Sequence, residues 1–243
     1  MFGGNPCIHP KFEELCEIAR KHIPYRYRGI WTNNLLGKGK ICRQTFNPNA
    51  SNFNLHLDQK AAEEFRRDWP ETRKHLKGLD HDCGHSPVFT AMKDLPDISS
   101  EEMWEMISKC DINQKWSAMI GVFRGELRGW FCEIAGAQSI LHQDDPSYPD
   151  TGLKIEPGWW LKNLDDFQLQ IMKHCPECGV PLRALGQKAT QGCKEQVSLT
   201  HLSIARPKRK DVTVEQISSR ADLGSKVPHV TDYLANYKYQ EKS

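Results

Sequence analysis

The sequence predicts an α/β fold in its first part, followed by a small α+β unit that contains a β-hairpin. Strand and helix patterns alternate along the first hundred residues, which indicates parallel strands with helices packed outside them. The pattern changes after residue 98, and two short strands joined by a tight turn follow. We therefore expect three segments: residues 1–97, residues 98–205 and a polar tail at 206–243.

The first segment contains two predicted helices and two predicted strands. KFEELCEIARKHI places its apolar side chains on one helical stripe, whereas QKAAEEFRRDWPETRKHLKG predicts a helix that Pro70 breaks. RYRGIWTNNLL predicts a short strand, and SNFNLHLD alternates as a second one. Ligand-contacting groups of such sheets gather at the carboxyl ends of the strands, where Asn33 and His56 would fall.

The second segment begins with a predicted capping box at Ser99 and Glu102, which starts the helix EEMWEMISKC. WSAMIGVFRGELRGWFCEI predicts a β-hairpin that turns at Arg124-Gly125. A short helix, NLDDFQLQIMKH, then leads into a Cys-x2-Cys turn.

Composition excludes several classes of partner. Lys plus Arg number 33 against 31 for Asp plus Glu, a formal net charge of +2, so we expect no general attraction to nucleic acid or anionic membrane. No apolar run approaches the roughly 20 residues that span a bilayer, and MFGGNPCIHP lacks the features of a signal peptide. Nine cysteines without an export signal favour the cytoplasm, where they serve as metal ligands or small buried hydrophobes.

Four of the cysteines fall into two pairs that suit a metal site. Cys110 closes the predicted helix and Cys132 ends the hairpin, while Cys175 and Cys178 form the Cys-x2-Cys turn. Each lies at the tip of a rigid element, so the four thiolates can converge on one point. Four thiolates hold either a zinc ion or an iron–sulfur cluster. The alternative is that Cys110 and Cys132 are merely buried, as unpaired cysteines often are.

Two stretches of the chain resemble the radical S-adenosylmethionine (SAM) superfamily. GGNPCIHPKFEELCEIARKHIP resembles its second strand and helix, whose motif is usually Gly-Gly-Glu-Pro. CDINQKWSAMIGVFRGELRGWFCEIAGAQ, followed by CPEC, resembles its smaller C-terminal domain, called twitch or SPASM. The resemblance implies a partial radical-SAM-type (β/α) barrel at 1–97 and a twitch/SPASM-like domain at 98–205. It also implies one auxiliary [4Fe–4S] cluster bound by Cys110, Cys132, Cys175 and Cys178.

The same resemblance implies a SAM site formed by the motif and by strand ends. The implied residues are Gly3, Gly4, Asn5, Pro6, Asn33 and His56. Asn5 replaces the usual acidic residue, and no three of the cysteines have the Cys-x3-Cys-x2-Cys spacing that holds the catalytic cluster. We therefore expect weak SAM binding by a chain that resembles the C-terminal two-thirds of such an enzyme. When a missing N-terminal part completes it, the expected activity is radical-based modification or oxidation of an unknown small molecule or peptide. An electron donor is a further expected partner.

Other arrangements of the metal site remain open. Cys193, which fourteen residues separate from Cys178, could replace one ligand of the cluster. A zinc-binding interaction module would use Cys175, Cys178, Cys193 and His201. A third alternative is a degenerate scaffold that binds no metal.

Overall fold

The structure is a computed structural model of the 243-residue chain, which divides into two compact units, Met1–Cys83 and Gly84–Ser243. Helices and small sheets are mixed in both units, as expected for an α/β protein in the broad sense. The residues that the structure describes are 5–80, 84–85, 87–110, 118–182, 187–188, 194–203 and 213–223.

In the first unit, short parallel strands alternate with helices. Trp31 forms a parallel bridge with Asn52, and the strand that follows Asn52 pairs in parallel with the next strand along the chain. This order confirms the predicted alternation, but over strands of only two residues. The elements are α1 (Phe12–His22), α2 (Gly39–Thr45), β1 (Phe53–Asn54), α3 (Gln59–Asp68) and β2 (Leu76–Lys77).

The helices of the first unit follow their sequence signals. Helix α1 buries Phe12, Cys16 and Ala19 on one face, which is the predicted apolar stripe. Helix α3 begins where the Asp58 side chain accepts a hydrogen bond from the backbone N–H of Ala61, at 3.0 Å. It ends just before Pro70, as predicted, and the chain continues as a 3-10 helix.

The predicted strand SNFNLHLD is wrong in its second half. Phe53 and Leu55 are buried as expected, but His56 and Leu57 have φ angles of +45° and +63°. Two consecutive residues in the left-handed region end an extended strand. The backbone therefore turns away, and the Leu57 side chain is exposed instead of packing in the core.

The second unit contains three α-helices and seven of the strands that the structure describes. Strands β4, β5 and β6 form an antiparallel sheet, β3 and β7 pair antiparallel, and β8 and β9 pair in parallel. The helices are α4 (Ser100–Ser108), α5 (Glu133–Leu141) and α6 (Gln168–His174). The strands are β3 (Gly84–His85), β4 (Met119–Phe123), β5 (Glu126–Trp130), β6 (Leu153–Lys154), β7 (Gln187–Lys188), β8 (Lys194–Val197) and β9 (Thr213–Gln216).

The predicted β-hairpin is confirmed with its turn. Strands β4 and β5 pair from Met119↔Trp130 to Phe123↔Glu126. Arg124 and Gly125 both have positive φ, at +48° and +82°, as the tight two-residue turns of hairpins require. The hairpin thus places Trp130 in the core and delivers the chain to Cys132.

The boundaries of the second unit differ from those expected. The chain divides at residue 83, so residues 84–97 belong with the second unit. Asp94 fixes them there, because its carboxylate accepts hydrogen bonds from the Ser198 and Thr200 hydroxyls at 2.6 and 2.8 Å.

The polar tail expected from residue 206 is wrong for residues 213–223. They form β9 and a 3-10 helix, and they bury Ile217 and Leu223 in the core of the second unit. Among the described residues, none of the helices has the length and apolar character needed to cross a membrane.

Candidate metal centre

The four predicted ligand cysteines line one pocket of the second unit. The pocket is small and partly open to solvent, and its remaining walls are mostly apolar. The structure therefore brings together residues that are up to 68 positions apart in the sequence. The pocket-lining residues are Ile107, Cys110, Phe131, Cys132, Ile134, Ala135, His174, Cys175, Cys178, Val180 and Pro181.

Three rigid elements deliver these cysteines. Cys110 follows α4, where its backbone N–H donates to the carbonyl of Ile107 at 3.1 Å. Cys132 is the N-cap of α5, immediately after the hairpin. Cys175 ends α6, and the N–H of Cys178 donates to the Cys175 carbonyl at 3.2 Å, which closes the Cys-x2-Cys turn.

Two of the sulfur atoms accept backbone hydrogen bonds. The N–H of Ile134 lies 3.3 Å from the Cys132 Sγ, and the N–H of Val180 lies 3.4 Å from the Cys178 Sγ. Cys132 also lies at the positive end of a nine-residue helix. Both features stabilise a thiolate relative to a thiol, which is the form that binds metal.

The tight turn at Cys178 depends on the glycine that follows it. A Cβ atom on Gly179 would lie 2.0 Å from the Pro87 carbonyl oxygen and 2.7 Å from that of Thr90. Only glycine permits this approach of two backbone segments, so the Gly179 position fixes the turn against residues 87–90.

Burial opposes the negative charge of the cysteine sulfurs. It raises the pKa of Cys132 to about 12, although the N–H groups of Ala135 and Ile134 act in the opposite direction. Burial likewise raises the pKa of Cys178 well above its usual value. Thiolates in such a pocket therefore need a cation to compensate their charge.

The described residues do not surround a single ion. No group of three or more His, Cys, Asp or Glu side chains among them is arranged to hold one metal ion. Cys193, the alternative ligand, lies outside the described residues.

His174, which lines the pocket, is held by a buried polar network. Gln138 donates from Nε2 to the Glu177 carbonyl at 2.9 Å, so we assign its Oε1 as the acceptor for the His174 Nδ1–H at 3.1 Å. The His174 Nε2 then accepts from the Thr151 hydroxyl at 2.7 Å. Burial lowers the pKa of His174 to about 4, so the ring is neutral and both its nitrogens are engaged.

Glu177, the third residue of the Cys-x2-Cys turn, is a structural anchor of the site that sequence reasoning missed. Its buried carboxylate forms ion pairs with Lys93 at 2.7 Å and with Lys173 at 2.6 Å. Burial disfavours the charged form, but the two lysines outweigh it and lower the pKa of Glu177. Glu177 thus anchors the turn to α6 and to residues 92–94.

His201, the zinc ligand of the alternative set, is engaged in the same network. Its Nε2 lies 2.6 Å from the Glu177 carbonyl oxygen, so this nitrogen carries the proton and donates. Only the Nδ1 of His201 has a lone pair to offer, and it is buried.

The residues that the resemblance assigns to SAM lie in the first unit. Gly3 and Gly4 fall outside the described residues. Asn5 donates from Nδ2 to the Asn33 Oδ1 at 3.2 Å and accepts from the Thr32 hydroxyl at 3.4 Å. Asn5 and Asn33 therefore meet after the strand segment at Trp31, while Pro6 opens a 3-10 helix and His56 follows β1. Their contact with SAM stays a prediction.

Comparison with known proteins adds no relative. No family model matches the chain, and searches of curated proteins and of solved structures return no significant match. Its function is therefore argued from the site itself.

Proposed function

We propose that this chain is an iron–sulfur protein whose second unit binds one auxiliary [4Fe–4S] cluster. The proposed ligands are Cys110, Cys132, Cys175 and Cys178. The observation that carries the proposal is the shared pocket, because three separate elements bring all four cysteines to it. Cysteines that served only as core hydrophobes would have no reason to gather around one opening.

The pocket suits the group in its chemistry. Thiolates are the usual protein ligands of iron–sulfur clusters, and the four cysteines that line the pocket would hold one. When bound, a cluster supplies one-electron transfer. The backbone N–H groups of Ile134 and Val180 donate to two of the sulfurs, and such bonds raise the reduction potential of a cluster.

We extend the proposal to the radical SAM class. The alternating parallel strands and helices of the first unit support a partial barrel of that type, and the Asn5–Asn33 contact supports a polar site at its strand ends. The substrate would be a small molecule or a peptide. The chain would bind and orient it and exclude water once a polypeptide with the Cys-x3-Cys-x2-Cys motif completes the enzyme, with an electron donor as a further partner.

A zinc-binding interaction module is the second candidate. The hydrogen bond from Val180 to the Cys178 sulfur and the close approach at Gly179 also suit a structural zinc turn. This alternative gives Cys110 and Cys132 no role, although both line the pocket.

A series of ligand variants tests the proposed set. After anaerobic purification, Cys110→Ala and Cys132→Ala should each lose most of the iron, whereas Cys193→Ala should retain it. Cys110→Ala is the most informative of these variants. Cys110 is only half-buried, so its truncation leaves little cavity. Cys16→Ala is the matched control for deleting a buried thiol, since Cys16 lies in the first unit.

The opposite pattern would refute the ligand set. If Cys193→Ala loses the metal while Cys110→Ala and Cys132→Ala keep it, the zinc module is the better account. Circular dichroism of every variant separates the loss of a ligand from the loss of the fold.

A further inference from the structure

A second group of cysteines lies in the first unit, away from the proposed metal ligands. The sulfur atoms of Cys7 and Cys42 are 3.9 Å apart, and both are free thiols. Both residues are almost fully buried, at 2% and 0% exposure. Two thiols in direct contact are a more specific arrangement than a single buried cysteine, which usually serves as a small hydrophobe.

The contact joins two elements that are distant in the sequence. Cys7 lies in the 3-10 helix Pro6–Ile8, and Cys42 lies in α2. Cys7 and Cys42 are 35 positions apart in the sequence, so a bond between the sulfurs would cross-link distant parts of the unit. A disulfide has its sulfurs about 2.05 Å apart, which requires them to approach by about 2 Å. Cys7 lies in a 3-10 helix of only three residues, which can make such a shift more easily than the longer α2 can.

Either thiol can donate the hydrogen of this contact, so a thiolate on one sulfur would be stabilised by the other thiol. The contact with Cys42, and next the side chain of Thr32, lower the pKa of Cys7. The contact therefore suits a pair in which one sulfur attacks first and the other resolves.

We propose that Cys7 and Cys42 are a modification site that forms a reversible disulfide with glutathione as the redox partner. The Cys7 thiolate attacks a sulfur of oxidised glutathione, which forms a mixed disulfide and releases one reduced glutathione. The Cys42 thiol gives its proton to solvent, attacks the Cys7 sulfur and releases a second reduced glutathione. Two thiols are thus oxidised to one disulfide, and one glutathione disulfide is reduced to two thiols.

The disulfide would act on the segment that carries Asn5. Cys7 is two residues after Asn5, whose side chain bonds Asn33 and Thr32. A disulfide between Cys7 and Cys42 would attach this segment covalently to α2. The inference does not depend on the proposed cluster, because none of its residues lies in the second unit.

Peptide mapping of the wild-type chain tests the proposal directly. The full chain is incubated for hours in glutathione buffers of graded oxidised-to-reduced ratio, then acid-quenched, denatured, alkylated and digested with trypsin. Long incubation allows for local opening of the buried pair. We expect peptide 1–11 linked to peptide 41–43, in a fraction that rises with the ratio and returns to zero with dithiothreitol. Cys16, in peptide 12–20, should stay alkylated.

Two variants and the melting temperature test the proposal further. Cys16→Ser, which changes a buried thiol of the same unit, should leave the linked peptide unchanged, whereas Cys42→Ser should abolish it. The oxidised wild type should melt about 5 °C or more above the reduced form. The proposal is overturned if Cys7 and Cys42 are both alkylated at every ratio, or if Cys16 is found in the link as often as Cys42.

Discussion

Glu177 shows how much of the site depends on a single side chain that is not itself a proposed ligand. Its carboxylate pairs with Lys93 and Lys173, and its carbonyl accepts hydrogen bonds from Gln138 and His201. One residue therefore fixes the Cys-x2-Cys turn from both its backbone and its side chain. Sequence patterns identify the two cysteines but not Glu177, because the partners that make it important lie up to 84 positions away.

Replacing Glu177 by glutamine should loosen the turn. Glu177→Gln keeps the shape but removes the charge that holds both lysines, and we expect the free energy of unfolding of metal-free protein to fall by about 1–3 kcal/mol. Iron should also be lost faster to a chelator. Urea titration and chelator kinetics measure the two effects.

The matched control is Glu105→Gln. Glu105 also pairs with a lysine, Lys109, but both side chains are more than half exposed, so the change should stay within about 0.5 kcal/mol. Equal effects at the two positions would mean that Glu177 does not anchor the turn.

In helix α5, one residue is both the N-cap of the helix and a proposed metal ligand. Its N-cap is Cys132, whose sulfur accepts from the Ile134 N–H, in the role that Ser, Thr, Asp or Asn usually has. Cys132 also lines the pocket, and its sulfur is the proposed ligand atom. The first turn of α5 and the proposed metal site therefore share one atom.

Serine and alanine at this position should separate the two roles. Cys132→Ser retains an N-cap acceptor, whereas Cys132→Ala removes it and should lower the stability of metal-free protein by about 0.5–2 kcal/mol relative to the serine variant. Both variants should lose the cluster, because neither retains the thiolate. Urea unfolding and iron analysis of the pair measure this. If the two metal-free variants are equally stable, the sulfur does not cap the helix.

The elements that the sequence predicts correctly are those whose signals are local. The stripe of α1, the Pro70 break after α3 and the Arg124-Gly125 turn each act within a few residues, and all three are confirmed. Helix α5 was missed because a cysteine N-cap and an internal Gly136 resemble no helix signal. Strand β9 was missed because the pairing with β8 that defines it joins residues 19 positions apart, beyond the reach of a local pattern.

The sequence predicted the cysteines of the candidate site but not the hydrogen bonds around them. The sequence placed Cys110, Cys132 and the Cys-x2-Cys turn at the ends of elements, and the structure brings all four cysteines to one pocket. Their role as metal ligands stays a prediction. The hydrogen bonds that shape the pocket could not be read from the sequence, because they join backbone groups and side chains whose proximity only the fold creates.

For the whole chain, the resemblance and the cysteine spacing lead to a prediction about SAM. In radical SAM enzymes the methionine amine and carboxylate of SAM chelate an open iron of the catalytic cluster, and this chain lacks the motif for that cluster. A cluster with four protein thiolates has no open iron. We therefore expect the chain alone, reconstituted and reduced, to release no 5′-deoxyadenosine from SAM.

Chromatography of the reaction mixture checks this outcome. Detectable 5′-deoxyadenosine would contradict the four-thiolate arrangement and would favour a three-cysteine site formed by Cys175, Cys178 and Cys193. Adding a polypeptide with the Cys-x3-Cys-x2-Cys motif, in cis or in trans, should restore cleavage if the chain is the C-terminal part of such an enzyme.

The central claim is that four cysteines of the second unit bind an iron–sulfur cluster. The most direct measurement is the iron, acid-labile sulfide and zinc content of wild-type chain purified without oxygen. The account predicts a brown protein with about four iron and four sulfide per chain and only traces of zinc. A colourless protein with one zinc per chain and no sulfide would contradict it.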